Sequence, residues 1–332
     1  MKSLSAPNVV ALVLLALVAV LAPWLLGGNE TWLRVITLCC MFAAMGQAWN
    51  ILGGLASQIS LGHAAFFGVG AYSSTLLLMH FQISPWLGMF VGMALAVVLA
   101  LVLSIPTFRL RGHYFALATL AAGEVMRLIA ISWSDLTGGP VGISVPYLPE
   151  GSFAMFQFAS QVTYYFVGLG LAVLVSLVFW YMKTSAIGYR LRAVKENQEA
   201  AEVVGVNTYR TKLIASMVSA ALTALCGTFY AQFNYFFDPD AVFSIASVSI
   251  QIALITILGG IGTLIGPILG ALFIVPLEET INAQLGGEAA GLSAFVYGVI
   301  LIAIILFRPH GLASLWDEVV ALFTRGSNKG GR

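Results

Sequence analysis

Charge is what this chain most lacks. Of its 332 residues only 9% are charged and 60% are hydrophobic, whereas soluble domains carry about 25% charge. A water-facing surface for a globular protein of this length cannot be built from that supply, and a mean hydropathy of +0.95 agrees. A soluble enzyme, a nucleic-acid binder and a disordered regulator are excluded on this ground. Cysteine is scarce too. Cys39, Cys40 and Cys226 all lie in apolar runs with no C-x-x-C spacing, so they read as small buried hydrophobes rather than a disulfide framework. No G-x-x-x-x-G-K-[ST] run supplies a phosphate cradle, and no H-E-x-x-H or G-x-S-x-G motif is present. His63, His80, His113 and His310 show no metal-ligand spacing. No catalytic, cofactor or metal site is expected in this chain.

What is abundant is long apolar sequence with glycine, 34 residues of it, which suits close helix packing and broken helices in a membrane. A crossing needs about 20 apolar residues. The pattern predicts an all-α integral membrane protein: one permease-like bundle over 1–332 with about ten spans, at 9–26, 33–52, 58–79, 86–105, 113–132, 162–182, 213–236, 245–258, 263–277 and 293–307. The first reads as a retained span, since no A-x-A site follows it. The short pair 245–258 and 263–277 flanks Gly259-Gly260-Ile261-Gly262 and reads as broken or re-entrant, tolerated only where protein or a wet cavity covers it. With ten spans and the N-terminus inside, 13 of the 15 basic residues fall on inner segments. Arg34 falls outside, among acidic loops, and Arg127 lies within a span. Both termini are therefore expected in the cytoplasm.

Two connections are long. The outer one, 133–161, is rich in glycine and proline and is either a docking surface or a structured connector. The inner one, 183–212, holds six basic and three acidic residues. Thr184 or Ser185 is placed to cap a helix there, and Gly205 to close it. Leu191, Val194, Ala201 and Val204 give a rough apolar stripe, and the pairs Lys195–Glu199 and Arg192–Glu196 sit at i,i+4. Small residues among acids favour insertion into a partner's groove over lying on anionic lipid.

Intramembrane polar residues are few. Glu124 and Arg127, at i,i+3, are either an intrahelical ion pair or, with His63, an ion relay. Gln47, Asn50, Gln58, Ser60 and His63 surround Gly53-Gly54 and either line a translocation path or bond helices together. Ile51-Leu52-Gly53-Gly54-Leu55-Ala56-Ser57 is echoed by Ile257-Leu258-Gly259-Gly260-Ile261-Gly262-Thr263, an echo read as packing.

Several stretches, taken in order, resemble one family. They are Gln58-Ile59-Ser60-Leu61-Gly62-His63-Ala64-Ala65-Phe66-Phe67-Gly68-Val69-Gly70-Ala71-Tyr72, Leu110-Arg111-Gly112-His113-Tyr114-Phe115-Ala116 with Glu124 and Arg127, and Leu136-Thr137-Gly138-Gly139-Pro140-Val141-Gly142-Ile143. Gly188-Tyr189-Arg190-Leu191-Arg192-Ala193-Val194-Lys195-Glu196-Asn197, Gly266-Pro267 and Phe307-Arg308-Pro309-His310-Gly311-Leu312 continue the match. Over roughly 47–312 the chain resembles branched-chain amino acid ABC permeases of the LivM type. The resemblance implies a non-enzymatic membrane subunit of the bacterial inner membrane. Its implied partners are a LivH-like second permease, two cytoplasmic ATPase subunits that hold ATP and Mg, and a periplasmic binding protein. Glu199-Ala200-Ala201 followed by Gly205 matches the core of the E-A-A-x-x-x-G coupling motif, although the I-x-L-P that ends its longer form is replaced by Asn207-Thr208-Tyr209-Arg210. By this resemblance Arg190, Arg192, Lys195, Glu196, Asn197, Glu199, Ala200, Ala201 and Gly205 form the ATPase-coupling segment. Gln47, Asn50, Gln58, Ser60, His63, Glu124, Arg127, Gly259 and Gly260 are candidates for path or gate. Related permeases serve urea, short amides or aromatic acids, and an ion-coupled carrier is the remaining alternative.

Overall fold

A computed structural model describes residues 17–110, 112–147 and 153–285, with 295, 296, 298–300, 302, 306 and 311–313. The described chain is almost wholly helical, and most helix starts have a visible local cause. Asn29 caps α1 (Glu30–Ala56), accepting from the Trp32 amide. Gly62 precedes α2 (His63–Phe81). Ser84 caps α3 (Pro85–Thr107), whose first residue, proline, is pre-set for that position. Gly112, at φ +57, opens α4 (His113–Ser132). Ser160 caps α5 (Gln161–Thr184). Two short helices follow, α6 (Ala186–Glu196) and α7 (Gln198–Val203), then α8 (Thr208–Asn234), capped by Asn207. A one-turn helix at Pro239–Val242 and a π-helical stretch at Ile245–Ile250 lead into α9 (Gln251–Gly260) and then α10 (Gly266–Leu285).

Among the described residues seven segments are long and apolar enough to cross a membrane: α1 to α5, α8 and Pro239–Gly260. Of the ten expected spans, 113–132 coincides with α4, and 33–52, 86–105 and 162–182 fall inside helices longer by a few residues at each end. The span expected at 263–277 is corrected at both ends: α10 begins at Gly266, after the non-helical turn, and runs to Leu285. The span 9–26 is described, and helical, over 17–25; most of 293–307 lies outside the described residues. The segment expected at 245–258 starts at Ile245, where Ser244 caps it through the Ser247 amide, and runs on to Gly260; a separate turn at Pro239–Val242, capped by Asp238, precedes it. Two further boundaries are corrected. The helix expected at 213–236 starts at Thr208 and ends at Asn234. The helix expected from 58 starts at His63, for reasons given below.

α1 runs through the centre, buried on almost every side from Met41 to Ala56, with α5, α8, α9 and α10 against it. A helix apolar all round belongs in such a position. α3 does the opposite. It buries Gly88, Gly92, Ala96, Ala100 and Ser104, one every fourth residue, and turns its large side chains outward. This small-residue stripe seats it closely on α2 and α8.

The α2–α8 contact is closer still. A Cβ at Gly70 would lie 2.0 Å from the Ala224 carbonyl oxygen, and one at Gly227 would lie 2.0 Å from the Phe67 carbonyl oxygen. The Thr228 hydroxyl adds a bond to the Gly70 carbonyl at 3.0 Å. Backbone cannot yield as a side chain does. Gly70→Ala is therefore expected to exceed the usual overpacking penalty of about 1–3 kcal/mol. In detergent it should give mostly aggregated protein on size exclusion, whereas Gly170→Ala, which meets nothing within 4 Å, should melt like the parent.

Where described, the outer connection 133–161 is tied back to the bundle. Ile143–Ser144 pairs antiparallel with Phe236–Phe237 just after α8. The Thr137 hydroxyl returns to the end of α4, and Trp86 Nε1 donates to the Phe153 carbonyl at 2.8 Å.

Candidate functional site

The two echoed glycine segments meet in space. Asn50 on α1 bridges them: its Nδ2 donates to the Thr263 carbonyl at 2.9 Å, and its Oδ1 accepts from the Gly262 amide at 2.8 Å. Gln47, one turn earlier, donates to the Leu264 carbonyl. Gly54 lies against Gly262, where an added Cβ would come within 2.8 Å of the Gly262 nitrogen. Gly259 packs on the Gly266 carbonyl. Gly260, at φ +130, faces Ala313, and the Leu312 amide donates to the Leu258 carbonyl at 2.8 Å. Gln47 and Asn50 thus bond helices together, holding the non-helical turn between α9 and α10 against the end of α1. Non-helical backbone at this depth needs such partners.

Two lysines reach the same joint. Lys183, at the end of α5, donates to the Gly262 carbonyl at 2.8 Å, and Lys195, on α6, donates to the Gly54 carbonyl at 3.1 Å. Sequence reasoning counted Lys183 only as a positive charge, because nothing local announces a bond to a carbonyl 79 residues away.

α6 and α7 form a small hairpin beneath this joint. Ser185 caps α6 through the Gly188 amide at 3.4 Å, as expected, and Gly205 turns the chain at φ +87. One expectation is corrected. The segment is two helices, broken at Asn197, whose side chain caps α7 through the Ala200 amide at 3.0 Å. Lys195 and Glu199, and the ends of the expected stripe, therefore do not share one helix face. Leu191, Val194 and Ala201 are buried, but Val204 is 77% exposed and Val203 88%. Arg192 donates to the Lys183 carbonyl at 2.8 Å and stacks on Tyr189. α7 is tied to the base of α8: Glu202 accepts from Thr208 and Gln198, and Lys212, buried over Phe108, donates to Gln198 at 3.3 Å. Arg190, Glu196, Glu199 and Ala200 lie on the exposed side. The hairpin is thus a braced body that presents an uncovered apolar pair among charges.

The remaining candidates separate into two places. Residues 58–62 fold back along the last turns of α1. Trp49 Nε1 donates to the Ser60 carbonyl at 2.8 Å, and the Leu61 amide donates to Thr119 on α4 at 3.0 Å. Trp49 stands seven residues before the end of α1, about 10 Å along its axis, so α2 begins inside the bundle. That is why 58–62 is not helical. Gln58 stays beside its own turn, donating to the Ala56 carbonyl at 3.4 Å. The orphan amides of the first turn of α2 find acceptors in Ser249, at 2.9 Å from the Ala64 nitrogen, and the Gly62 carbonyl. His63 is fully buried, with Nε2 2.8 Å from the Ser219 hydroxyl. Glu124 and Arg127 are elsewhere. Arg127 holds Glu124 at 3.0 Å and reaches Asp240 at 2.5 Å, pinning α4 to the start of Pro239–Gly260. They form the ion pair and share no bond with His63.

Comparison with known proteins decides what carries this arrangement. The family described as the permease component of branched-chain amino acid transport systems matches residues 31–305. The chain belongs to that family. It is 27% identical to the high-affinity branched-chain amino acid transport system permease protein LivM of Escherichia coli, over 96% of this chain and 78% of that protein. It is 23% identical to LivH of the same organism, over 83% and 92%. A nucleoside ABC transporter permease of Lactococcus lactis is 24% identical over 87% and 92%. No solved structure matches. The permease is therefore a multi-pass helical membrane protein of LivM type, and its relatives are the membrane subunits of ABC transporters.

Proposed function

We propose that this permease is the membrane half of an ATP-driven importer for branched-chain or related amino acids. It has ten spans and both termini in the cytoplasm, lies in the bacterial inner membrane, and works with a LivH-like second permease, two ATPase subunits and a periplasmic binding protein. ATP and Mg belong to the ATPases; this chain carries force and solute. The observation that supports this most is the braced α6–α7 hairpin, which carries Glu199-Ala200-Ala201 along α7 and Gly205 just after it, and leaves Val203 and Val204 bare. In this reading the hairpin seats in an ATPase groove. Its motion passes through Lys183 and Lys195 to the turn between α9 and α10, where Gly259 and Gly260 form part of a gate.

Reconstitution tests it. Vesicles holding the permease with its second permease, ATPases and binding protein should accumulate L-leucine only with ATP, and the permease alone should accumulate none. Uptake by the permease alone, driven by an ion gradient, would overturn the proposal in favour of a secondary carrier.

A further inference from the structure

A cavity of about 220 Å³ opens between α1, α8, α9 and α10. It is smaller than the roughly 300–1,000 Å³ of drug-sized sites, so it suits a small solute. Its end of the bundle follows from helix directions. Thr263 and Leu264 meet Asn50 and Gln47, and Pro267 lies beside Gly46, so α10 runs opposite to α1. Arg34 stands 12 residues before Gly46 and Glu278 stands 11 after Pro267. At about 1.5 Å per residue both reach the same level, at the end remote from the α6–α7 hairpin. With the hairpin on the cytoplasmic side, as proposed above, the cavity lies at the outer end.

Its chemistry is divided. Its charged lining is Arg34, Glu278 and Glu279. Arg34 donates to Asn234 at 3.0 Å, and Glu278 accepts from Gln251. Among the described residues neither makes an ion pair. Below Arg34 the same face of α1 continues with Leu38, Met41 and Met45, spaced at helical intervals. An uncharged solute leaves both signs of charge unanswered. A simple anion meets two carboxylates against one guanidinium, and a metal cation has no use for the arginine or the apolar floor. A molecule with a carboxylate, an ammonium and an apolar tail answers all three.

We propose that this cavity is a binding site for zwitterionic α-amino acids with apolar side chains. Arg34 takes the carboxylate, Glu278 the ammonium, and the Leu38–Met41–Met45 face the side chain. Methionines adapt to varied apolar shapes, so the site accepts several such side chains. The assignment rests on the permease reading and narrows it against urea, amides and aromatic acids as solutes.

The test uses the complete transporter in lipid nanodiscs carrying Ser247→Cys at the cavity wall, with alkylation of that thiol by a water-soluble maleimide as the readout. The same complex without Ser247→Cys gives the background from the native cysteines. Millimolar L-leucine should slow alkylation about tenfold, while 4-methylpentanoate, which lacks the ammonium, and urea should not. Adding Arg34→Gln should remove the protection, and Arg34→Lys should keep part of it. Glu278→Gln gives a second arm should Arg34→Gln fail to assemble. Equal protection by 4-methylpentanoate or urea would overturn the site, as would protection untouched by both substitutions. Protection with no ATP-driven uptake in vesicles would instead sink the permease reading and leave the site standing.

Discussion

Replacing Val203 and Val204 together with aspartate is expected to lower ATP-driven uptake about a hundredfold and to release the ATPase subunits during purification. The two valines are among the most exposed large hydrophobic residues described, at 88% and 77%, on a protein whose other bare apolar surface lies largely along membrane-spanning helices. Fully burying one valine contributes about 1.5–3 kcal/mol. At 1.4 kcal/mol per factor of ten, loss of one such contact alone predicts about a tenfold to hundredfold weaker association, and carboxylates forced into an apolar groove weaken it further. Val203→Ala with Val204→Ala should lose about tenfold. Co-purification of the ATPases with the tagged permease reads both. The chain's own fold should survive, since neither side chain is buried in it.

Breaking the lysine braces should separate hydrolysis from transport. Lys183→Met with Lys195→Met removes the two bonds from the α5–α6 corner to Gly262 and Gly54. A bond from a charged donor is worth about 1.5–3 kcal/mol, against about 0.6 kcal/mol for an average interhelical bond between neutral groups in a membrane. The two lysines therefore carry more of the link than Asn50 does. Uptake of L-leucine should fall at least tenfold while ATP hydrolysis by the assembled complex continues. Each single substitution should lie between. Equal loss of hydrolysis and uptake would show that the lysines hold the complex together and do not transmit its motion.

The parts of this fold legible in sequence were those with a local cause. α4 was read to the residue because glycine precedes it and its apolar run ends at Ser132. The Ser185 cap and the turn at Gly205 were legible because serine and glycine act within a few residues of themselves. The break at Asn197 had a local signal as well, an asparagine ahead of Gln198-Glu199, but the stretch from Ser185 to Gly205 was read as one helix with a rough apolar stripe, which misplaced Val204. What sequence could not supply was meeting across the chain. The glycine echo hinted at packing, yet nothing in it says that Asn50 spans both copies or that two lysines reach them. Arg34 and Glu278, 244 positions apart, become one site only when α1 and α10 lie antiparallel. The start of α2 was misread for the same reason: Gln58-Ile59-Ser60-Leu61-Gly62 holds no proline to stop a helix, and the bonds from Trp49 and to Thr119 show why it folds back.

The most direct measurement is disulfide or maleimide cross-linking from Val203→Cys in the complete transporter, with a membrane-impermeant thiol reagent to establish its side. The cysteine should be labelled only from the cytoplasm, and it should cross-link to an ATPase subunit with a yield that changes when ATP is bound. Labelling from the outside would contradict the central claim that the hairpin is the handle through which ATP hydrolysis moves this permease, and so would full uptake activity in a complex where residue 203 never meets an ATPase.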